Sequence, residues 1–275
     1  MKLRILTALV LAPLAFLIIG WSPEWLFFLV LLVTIERGLY EYFAISRQAG
    51  FRTIPVVGYV AAGALCLAQA YEIQWPGILW PAVFFILVLA FLLSLIVARG
   101  SPAGPKHFLA GTAATLFGIF YIGFMLSWLL PMRFSIPPGG RNLTLLLFLV
   151  IWSGDIFALL VGRSFGRTPL APRISPKKTV EGSLGGLIGS LAIGWAFAHW
   201  FWQTEPFRTV ILLIVLIAVM GQVGDLLESG LKRACEVKDS GTLLPGHGGL
   251  LDRIDSLILA VPALWIAVEL GAYLK

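Results

Sequence analysis

The residues best suited to chemistry in this 275-residue chain lie in one polar stretch, "KDSGTLLPGHGGLLDRIDS", which runs from Lys238 to Ser256. It contains an ammonium, a guanidinium, an imidazole, three carboxylates and four glycines. Carboxylates can hold a cation, and the cationic groups can hold an anion such as phosphate. The glycines of "PGHGG" would let backbone N–H groups approach a ligand, although a flexible surface loop explains them equally well. His247, between two of them, is a proton donor, a phosphate or metal-shell contact, or an ordinary loop residue.

A second set of polar residues precedes this stretch at helical spacing. Asp225, Glu228, Ser229 and Lys232 fall at i, i+3, i+4 and i+7, which places them on one helical face. Asp252 and Asp255 share a face in the first turn of the next helix. We therefore expect the intervening loop to bring Asp225 and Asp252 to the same membrane surface. The alternatives for the first set are a polar stripe that holds helices together and a simple Glu228–Lys232 pair.

Carboxylates gathered at one surface need compensation. At ~4 Å each pair repels by about 4 kcal/mol at an effective dielectric near 20. Either some are protonated or a cation lies among them, and Mg²⁺ suits a site that offers one or two carboxylates and leaves room for substrate. The nearby basic residues then need an anion, which phosphate supplies; they are Lys232, Arg233, Lys238 and Arg253. Cys235 is interpreted as a bystander.

A second basic loop lies in "GRSFGRTPLAPRISPKKTVEGSLGG", from Gly162 to Gly186. Ser175 followed by Pro176 predicts a helix N-cap with proline at the first helical position. The first turn would then contain Lys177, Lys178 and Thr179. Lysines are unfavourable at a helix N-terminus unless an anion binds there. The alternative is that they only hold the loop in the cytoplasm. Small residues then recur every fourth position and predict close helix packing; they are Gly182, Gly186, Ser190 and Gly194.

The elements that position these residues are membrane helices. The chain is 59% hydrophobic and 12% charged, whereas soluble domains have about a quarter of their residues charged. Its apolar runs reach the ~20 residues that a helix needs to cross a bilayer and are too long for barrel strands. The sequence therefore predicts an all-α polytopic membrane protein with about nine transmembrane helices. The predicted spans are 4–21, 24–45, 54–72, 78–98, 109–131, 143–163, 182–202, 208–230 and 253–273.

The distribution of Lys and Arg predicts the orientation. Most of them lie at the N-terminus and in alternate loops, so the positive-inside rule predicts a cytoplasmic N-terminus. Arg173 and His247 are then expected to face the cytoplasm, in the loops 163–181 and 231–252. We expect region 1–142 to be a scaffold on the lipid side and region 143–275 to be catalytic. Three charged residues of the second span have no predicted role: Glu36, Arg37 and Glu41.

The polar segment resembles a known signature. "SGLKRACEVKDSGTLLPGHGGLLDRID", from Ser229 to Asp255, is similar to the signature of phosphatidate cytidylyltransferases, also called CDP-diacylglycerol synthases. Its anchors are Ser229, Lys232, Arg233, Lys238, Asp239, His247, Gly248, Gly249, Asp252, Arg253 and Asp255. "SPKKTVEG", from Ser175 to Gly182, resembles the family's second hallmark. The resemblance is strong over residues 143–275, whereas the N-terminal half agrees in hydrophobic pattern only.

The resemblance implies an activity and a site. CTP and phosphatidic acid would give CDP-diacylglycerol and pyrophosphate, with Mg²⁺ held by Asp225 and Asp252. It implies a bacterial inner-membrane enzyme with no nucleic acid partner, and it is compatible with a homodimer and with a second cation. The implied catalytic residues are Asp225, Lys232, Arg233, Lys238, Asp239, His247, Asp252, Arg253 and Asp255. The implied substrate-binding residues are Ser175, Lys177, Lys178, Thr179, Glu228, Ser229, Gly248 and Gly249.

Two other functions are alternatives to cytidylyl transfer. A CTP-dependent polyprenol or phytol kinase would transfer the γ-phosphoryl group and need a base, and the full Ser229–Asp255 pattern argues against it. An ion transporter would also explain carboxylates inside the membrane, but it would be expected to show inverted repeats with broken helices in both halves. Here the polar residues concentrate in the C-terminal half.

Overall fold

Runs of apolar residues, separated by short polar or proline- and glycine-containing segments, fold into helices throughout the chain. The structure is a computed structural model that describes residues 13–75, 77–99, 104–136, 139–202, 206–243 and 248–273. The chain divides into two units, one formed by residues 1–135 and 234–253 and the other by residues 136–233 and 254–275.

The first unit is helical. Residues 13–21 form α1. The helices that follow are α2 (Glu24–Gln48), α3 (Pro55–Glu72), α4 (Leu79–Arg99), α5 (Gly104–Gly118), a π-helical turn (Ile119–Phe124), α6 (Met125–Ser127) and α7 (Leu129–Phe134). Leu65 of α3 and Ile119 of the π-helical turn belong to one buried apolar cluster. Proline begins α3 at a position where its missing N–H costs no hydrogen bond.

The second unit contains three helices and a small hairpin. These are α8 (Gly140–Phe165), β1 (Pro169–Ala171), β2 (Ser175–Thr179), α9 (Val180–Phe201) and α10 (Phe207–Ala234). The last helix, α11 (Leu251–Tyr273), begins in the first unit and continues in the second.

The small-residue ridge of α9 packs closely, as predicted. A Cβ atom added at Gly186 would lie 2.9 Å from the carbonyl oxygen of Gly154 on α8. The Ser190 hydroxyl donates a hydrogen bond to the carbonyl oxygen of Val150 at 2.8 Å. Larger side chains at these positions would push α9 away from α8, so the ridge sets the helix spacing.

Six helices are long and apolar enough to cross a membrane within the described ranges. They are Leu79–Ile96, Leu109–Phe134, Gly140–Phe165, Val180–Phe201, Phe207–Ala234 and Leu251–Gly271. Large apolar side chains on α4, such as Phe84 and Phe85, are exposed, as expected for a helix that faces lipid. The prediction of an all-α membrane protein is therefore confirmed at this level. Nine crossings and a cytoplasmic N-terminus stay predictions.

The start of α9 differs from the prediction. Ser175 does not cap a helix, because Ser175–Thr179 is a strand that pairs antiparallel with β1. The helix begins at Val180, and Thr179 is its N-cap, accepting a hydrogen bond from the Gly182 N–H at 3.1 Å. Thr179 and Ser175 both have a side-chain hydroxyl that can cap a helix. Ser175 does not do so because it pairs with Ala171 in the hairpin.

Candidate active site

Two clusters of polar side chains contain most of the predicted site residues. The "helix cluster" lies in the second unit and comprises Lys178, Asp225, Glu228, Lys232 and Asp255. The "loop cluster" lies in the first unit and comprises Glu41, Ser240, Gly249, Leu251 and Asp252.

The helix cluster contains two short ion pairs. Glu228 and Lys232, one turn apart on α10, contact each other at 2.6 Å, and the Glu228 side chain is only 1% exposed. The Glu228–Lys232 pair, which the sequence offers as one alternative explanation of these residues, is therefore present. Lys178 of β2 contacts Asp225 of α10 at 2.5 Å, and both side chains are about 30% exposed. The hairpin lysine thus reaches the carboxylate that the sequence proposes as a metal ligand.

Asp255 adds a buried carboxylate to this cluster. It is 9% exposed, and the charged groups that act on it are the carboxylates of Asp225, Glu228 and Asp155. Its Oδ1 accepts a hydrogen bond from the Ser256 N–H at 2.7 Å. Gly224 permits this approach, because a Cβ atom there would lie 2.6 Å from the backbone oxygen of Asp255. The structure therefore brings Asp255 of α11 close to acidic residues of α10. That Asp225 and Asp252 lie at one membrane surface stays a prediction.

Side chains of α9 and α10 hold the hairpin by hydrogen bonds to backbone groups in and next to it. Glu181, in the first turn of α9, accepts hydrogen bonds from the N–H groups of Arg167 and Thr168, which precede β1. Arg233 of α10 donates from Nε to the carbonyl oxygen of Ile174 at 3.2 Å. Lys177 is exposed beside Lys178, and neighbouring strand residues point to opposite faces. The two lysine side chains therefore leave the strand on opposite faces.

The loop cluster is built around two carboxylates. Oδ2 of Asp252 accepts hydrogen bonds from the Gly249 N–H at 2.8 Å and from both the N–H and the hydroxyl of Ser240 at 3.0 Å. Oε2 of Glu41, on α2, accepts from the Leu251 N–H at 2.8 Å. It also lies 2.9 Å from the Ser240 hydroxyl, which shares its one hydrogen between Glu41 and Asp252. We call residues 240–251 the signature loop, because they lie within the segment that resembles the family signature. Both ends of this loop are thus tied to carboxylates.

The signature glycines are required by this packing. Gly248 has a φ of +83°, and a Cβ atom there would lie 2.7 Å from Oδ2 of Asp252. A Cβ atom at Gly249 would collide with the hydroxyl of Ser240 and with Oε2 of Glu41. The glycines therefore have a structural role here, in addition to the ligand contacts proposed from the sequence.

The remaining predicted residues are placed as follows. Lys238, Asp239 and Arg253 are exposed, and Ser229 is half-buried on α10. Ser175 lies in β2 and Thr179 caps α9. His247 lies outside the described residues. Sequence reasoning noticed Glu41 as a charge inside an apolar span but gave it no role, and it did not single out Ser240.

The donor chemistry fits Mg²⁺. Within the described ranges, no group of three or more His, Cys, Asp or Glu side chains is arranged to hold a metal ion. Mg²⁺ does not need such a group, because it commonly takes one or two carboxylates and completes its shell with water and substrate phosphates. The hard oxygens of Asp225 and Asp252 are ligands of the right type, and both carboxylates already bind N–H, O–H or ammonium donors.

These observations define a class of protein: a multi-helix membrane protein that contains lysine–carboxylate pairs and an anchored glycine loop. The chain belongs to the cytidylyltransferase family, whose sequence model matches residues 2–270. It is 34% identical to a phosphatidate cytidylyltransferase of Synechocystis, over 97% of this chain and 96% of the relative. The relative of that name from Bacillus subtilis is 32% identical, over 98% of both chains. A third, from Thermotoga maritima, is 33% identical over 98% of this chain and 97% of its own length.

Proposed function

We infer that the chain is a nucleotidyltransferase that moves the cytidylyl group of CTP to phosphatidic acid, giving CDP-diacylglycerol and pyrophosphate for phospholipid synthesis. The observation that carries this inference is the similarity to phosphatidate cytidylyltransferases over nearly the whole length of both chains. The paired lysines and carboxylates of the helix cluster agree with it, because phosphoryl chemistry requires positive charge around phosphates.

The reaction needs little proton transfer. An oxygen of the phosphatidic acid phosphate bonds to the α-phosphorus of CTP, and the bond from that phosphorus to the oxygen that bridges to the β-phosphorus breaks. A phosphate monoester has a second pKa near 6, so the attacking group is mostly dianionic at neutral pH and needs no general base. Catalysis then consists of positioning two anions and compensating their charge.

The residues of this chain supply that compensation. We propose that four cationic residues contact nucleotide phosphates, namely Lys177, Lys178, Lys232 and Arg233. We also propose that Asp225 and Asp252 hold Mg²⁺. When bound, Mg²⁺ would neutralise phosphate charge and favour departure of pyrophosphate. Lys178, which contacts Asp225 at 2.5 Å, would be shared between this carboxylate and the incoming nucleotide.

Transfer of label from CTP tests the proposed activity. The detergent-purified protein is incubated with phosphatidic acid, Mg²⁺ and CTP labelled at either the α- or the γ-phosphorus. We expect α-label in the lipid product and γ-label in pyrophosphate. Recovery of γ-label in a lipid would instead show a CTP-dependent kinase, and no transfer of either label would favour a transporter.

We further propose an inner-membrane location with the site facing the cytoplasm. The support is the Lys/Arg asymmetry of the sequence and the six apolar helices. CTP is a cytoplasmic nucleotide, so we expect it to bind at the two loops that this orientation places in the cytoplasm.

The orientation can be tested by labelling introduced cysteines. Arg173→Cys, at the exposed hairpin turn, is expected to be labelled by an impermeant maleimide only from the cytoplasmic side. The control is Arg208→Cys, which the same rule places on the opposite side. Cys66 is buried and burial raises the pKa of Cys235, but both are replaced by alanine to remove background. Labelling of Arg173→Cys from the periplasm would invert the proposed orientation.

The hairpin lysines are expected to differ in effect. Loss of a charge-assisted phosphate contact costs about 1.5–3 kcal/mol, so Lys177→Ala and Lys178→Ala should each raise the KM for CTP by roughly ten- to a hundredfold. Lys178→Ala should also lower kcat, because its ammonium contacts Asp225. Steady-state kinetics over a CTP range measure both constants.

Arg173→Ala provides the control on the same hairpin. It removes an exposed cation from the turn that joins β1 to β2 and should leave both constants near the wild-type values. If both lysine variants keep the wild-type dependence on CTP, the lysines serve only to retain the loop in the cytoplasm.

A further inference from the structure

The carboxylate of Glu41 is buried and already engaged. Glu41 is 1% exposed, and its Oε1 lies 3.2 Å from Nη2 of Arg37, one turn earlier on α2. The guanidinium of Arg37 gives this buried carboxylate an ionic partner, and a buried ion without a partner is costly. The other oxygen, Oε2, faces the signature loop and accepts hydrogen bonds from it.

Glu41 holds the signature loop at two points that lie far apart from it in sequence. Leu251 is the first residue of α11, so its N–H is one of the helix-terminal donors that lack a partner within the helix. Glu41 accepts that hydrogen bond from a distance of 210 residues. It also accepts a hydrogen bond from the hydroxyl of Ser240, which lies at the other end of the loop and 199 residues away in sequence. One side chain therefore fixes both ends of residues 240–251.

The contacts of Glu41 reach Asp252 through Ser240. A serine hydroxyl has one hydrogen to donate, and the Ser240 oxygen lies 2.9 Å from Oε2 of Glu41 and 3.0 Å from Oδ2 of Asp252. The Ser240 N–H also donates to Oδ2 of Asp252 at 3.0 Å. A shift of Ser240 would therefore move two of the three donors that orient this oxygen.

Close packing around the Glu41 carboxylate restricts its movement. Gly241 and Gly249 both pack against its carboxylate, and a Cβ atom at Gly241 would lie 3.0 Å from its carboxyl carbon. The loop thus closes around the carboxylate with its glycines. A surface charge or a simple helix-packing residue would not be enclosed by the segment that carries the signature.

We propose that Glu41 is a positioning residue for cytidylyl transfer, which sets the orientation of Asp252 by anchoring both ends of the signature loop. This inference rests on the proposed function, because it assigns Asp252 a part in that reaction. In this role Glu41 contacts the protein alone, through Arg37, Ser240 and Leu251. Its effect on catalysis passes through Ser240 and the backbone at the start of α11.

The test compares Glu41→Gln with Glu36→Gln on the same helix. Glu41→Gln keeps the shape but loses the charge and directs an amide toward groups that donate. Loss of a residue that orients a metal ligand costs about 10–100-fold in metal affinity or activity. We expect kcat to fall by that factor and the Mg²⁺ concentration for half-maximal activity to rise, while the KM for CTP stays unchanged.

A readout without substrate accompanies the kinetics. Mg²⁺ is titrated into each variant while the melting temperature is followed, and the midpoint of stabilisation for Glu41→Gln should move about tenfold upward. Glu36→Gln, whose carboxylate lies toward Gly63 of α3, should keep the wild-type midpoint. A role limited to folding would lower the melting temperature of Glu41→Gln without moving its Mg²⁺ midpoint, and that result overturns the proposal.

Ser240→Ala decides the matter if Glu41→Gln does not insert. It removes only the shared hydroxyl and should shift kcat and the Mg²⁺ midpoint in the same direction by a smaller factor; an unchanged midpoint overturns the proposal. Wild-type protein that transfers no cytidylyl group would overturn the proposed function and this inference together. Active wild-type protein with an unaffected Glu41→Gln variant would overturn this inference alone.

Discussion

Replacement of Asp225 by asparagine is expected to abolish cytidylyl transfer in a protein that still inserts and purifies. Asp225 is the partly exposed carboxylate of the helix cluster and contacts Lys178, so its charge is available both to a cation and to the lysine. Removal of one electrostatic stabiliser of a transition state costs up to about 10³-fold in kcat, and we expect a loss of that size.

The stability of Asp225→Asn should change little without metal. A partly exposed ion pair contributes about 0–1 kcal/mol, and loss of the charge also relieves repulsion with Asp255 and its acidic neighbours. In the wild type, a ligand that binds only the folded state adds about 2.7 kcal/mol at a hundredfold excess over Kd. Added Mg²⁺ should therefore raise the melting temperature of the wild type and leave Asp225→Asn nearly unchanged.

A matched variant separates loss of the site from loss of charge. Glu236→Gln removes a carboxylate from an exposed position just after α10 and should keep both turnover and the Mg²⁺ shift. An Asp225→Asn variant that keeps both as well would show that Asp225 serves only to hold Lys178 and the hairpin in place.

Local spacing explains why the α10 part of the helix cluster was predictable. Asp225, Glu228 and Lys232 are separated by helical intervals, so a helix alone places them on one face whatever the rest of the chain does. The Glu228–Lys232 contact at 2.6 Å follows from that geometry. The ridge on α9 was predictable for the same reason, since small residues at every fourth position form one stripe.

The start of α9 shows where local signals are ambiguous. Ser175 and Thr179 both have side chains that can cap a helix, and each is followed by residues compatible with a first turn. The choice between them depends on β1, which pairs with residues 175–179 across a three-residue turn. It also depends on Glu181, which holds the backbone before β1. A capping rule that considers one segment alone takes neither of these contacts into account.

The loop cluster could not be derived from sequence spacing. Glu41 and Ser240 are 199 residues apart, and no periodicity in one sequence links them. The available signal was energetic: a carboxylate inside an apolar helix is costly and requires a partner. That signal marked Glu41 as unusual, but the partner became evident only in the folded chain.

Replacement of Asp252 by asparagine is the second change from which we expect a loss of about 10³-fold in kcat, for the same electrostatic reason. Unlike Asp225, however, Asp252 has one oxygen that accepts hydrogen bonds from the N–H groups of Ser240 and Gly249. The Ser240 hydroxyl also lies within hydrogen-bond distance of this oxygen and shares its one hydrogen between Asp252 and Glu41. Carboxylate repulsion alone would predict that the variant keeps its metal-free stability. The observed hydrogen bonds predict the opposite, because bonds to a charged acceptor contribute about 1.5–3 kcal/mol.

Thermal unfolding without Mg²⁺ distinguishes these two expectations for Asp252→Asn. We expect its melting temperature to fall below that of the wild type, whereas Asp225→Asn should not differ, although both variants are inactive. Ser240→Ala serves as the intermediate case, because it removes one of the three donors and leaves the charge of Asp252 in place. A metal-free Asp252→Asn variant as stable as the wild type would mean that these hydrogen bonds add nothing to folding. The loop cluster would then hold Asp252 for catalysis alone, and the glycines at 248 and 249 would be required only to let its carboxylate approach the loop backbone.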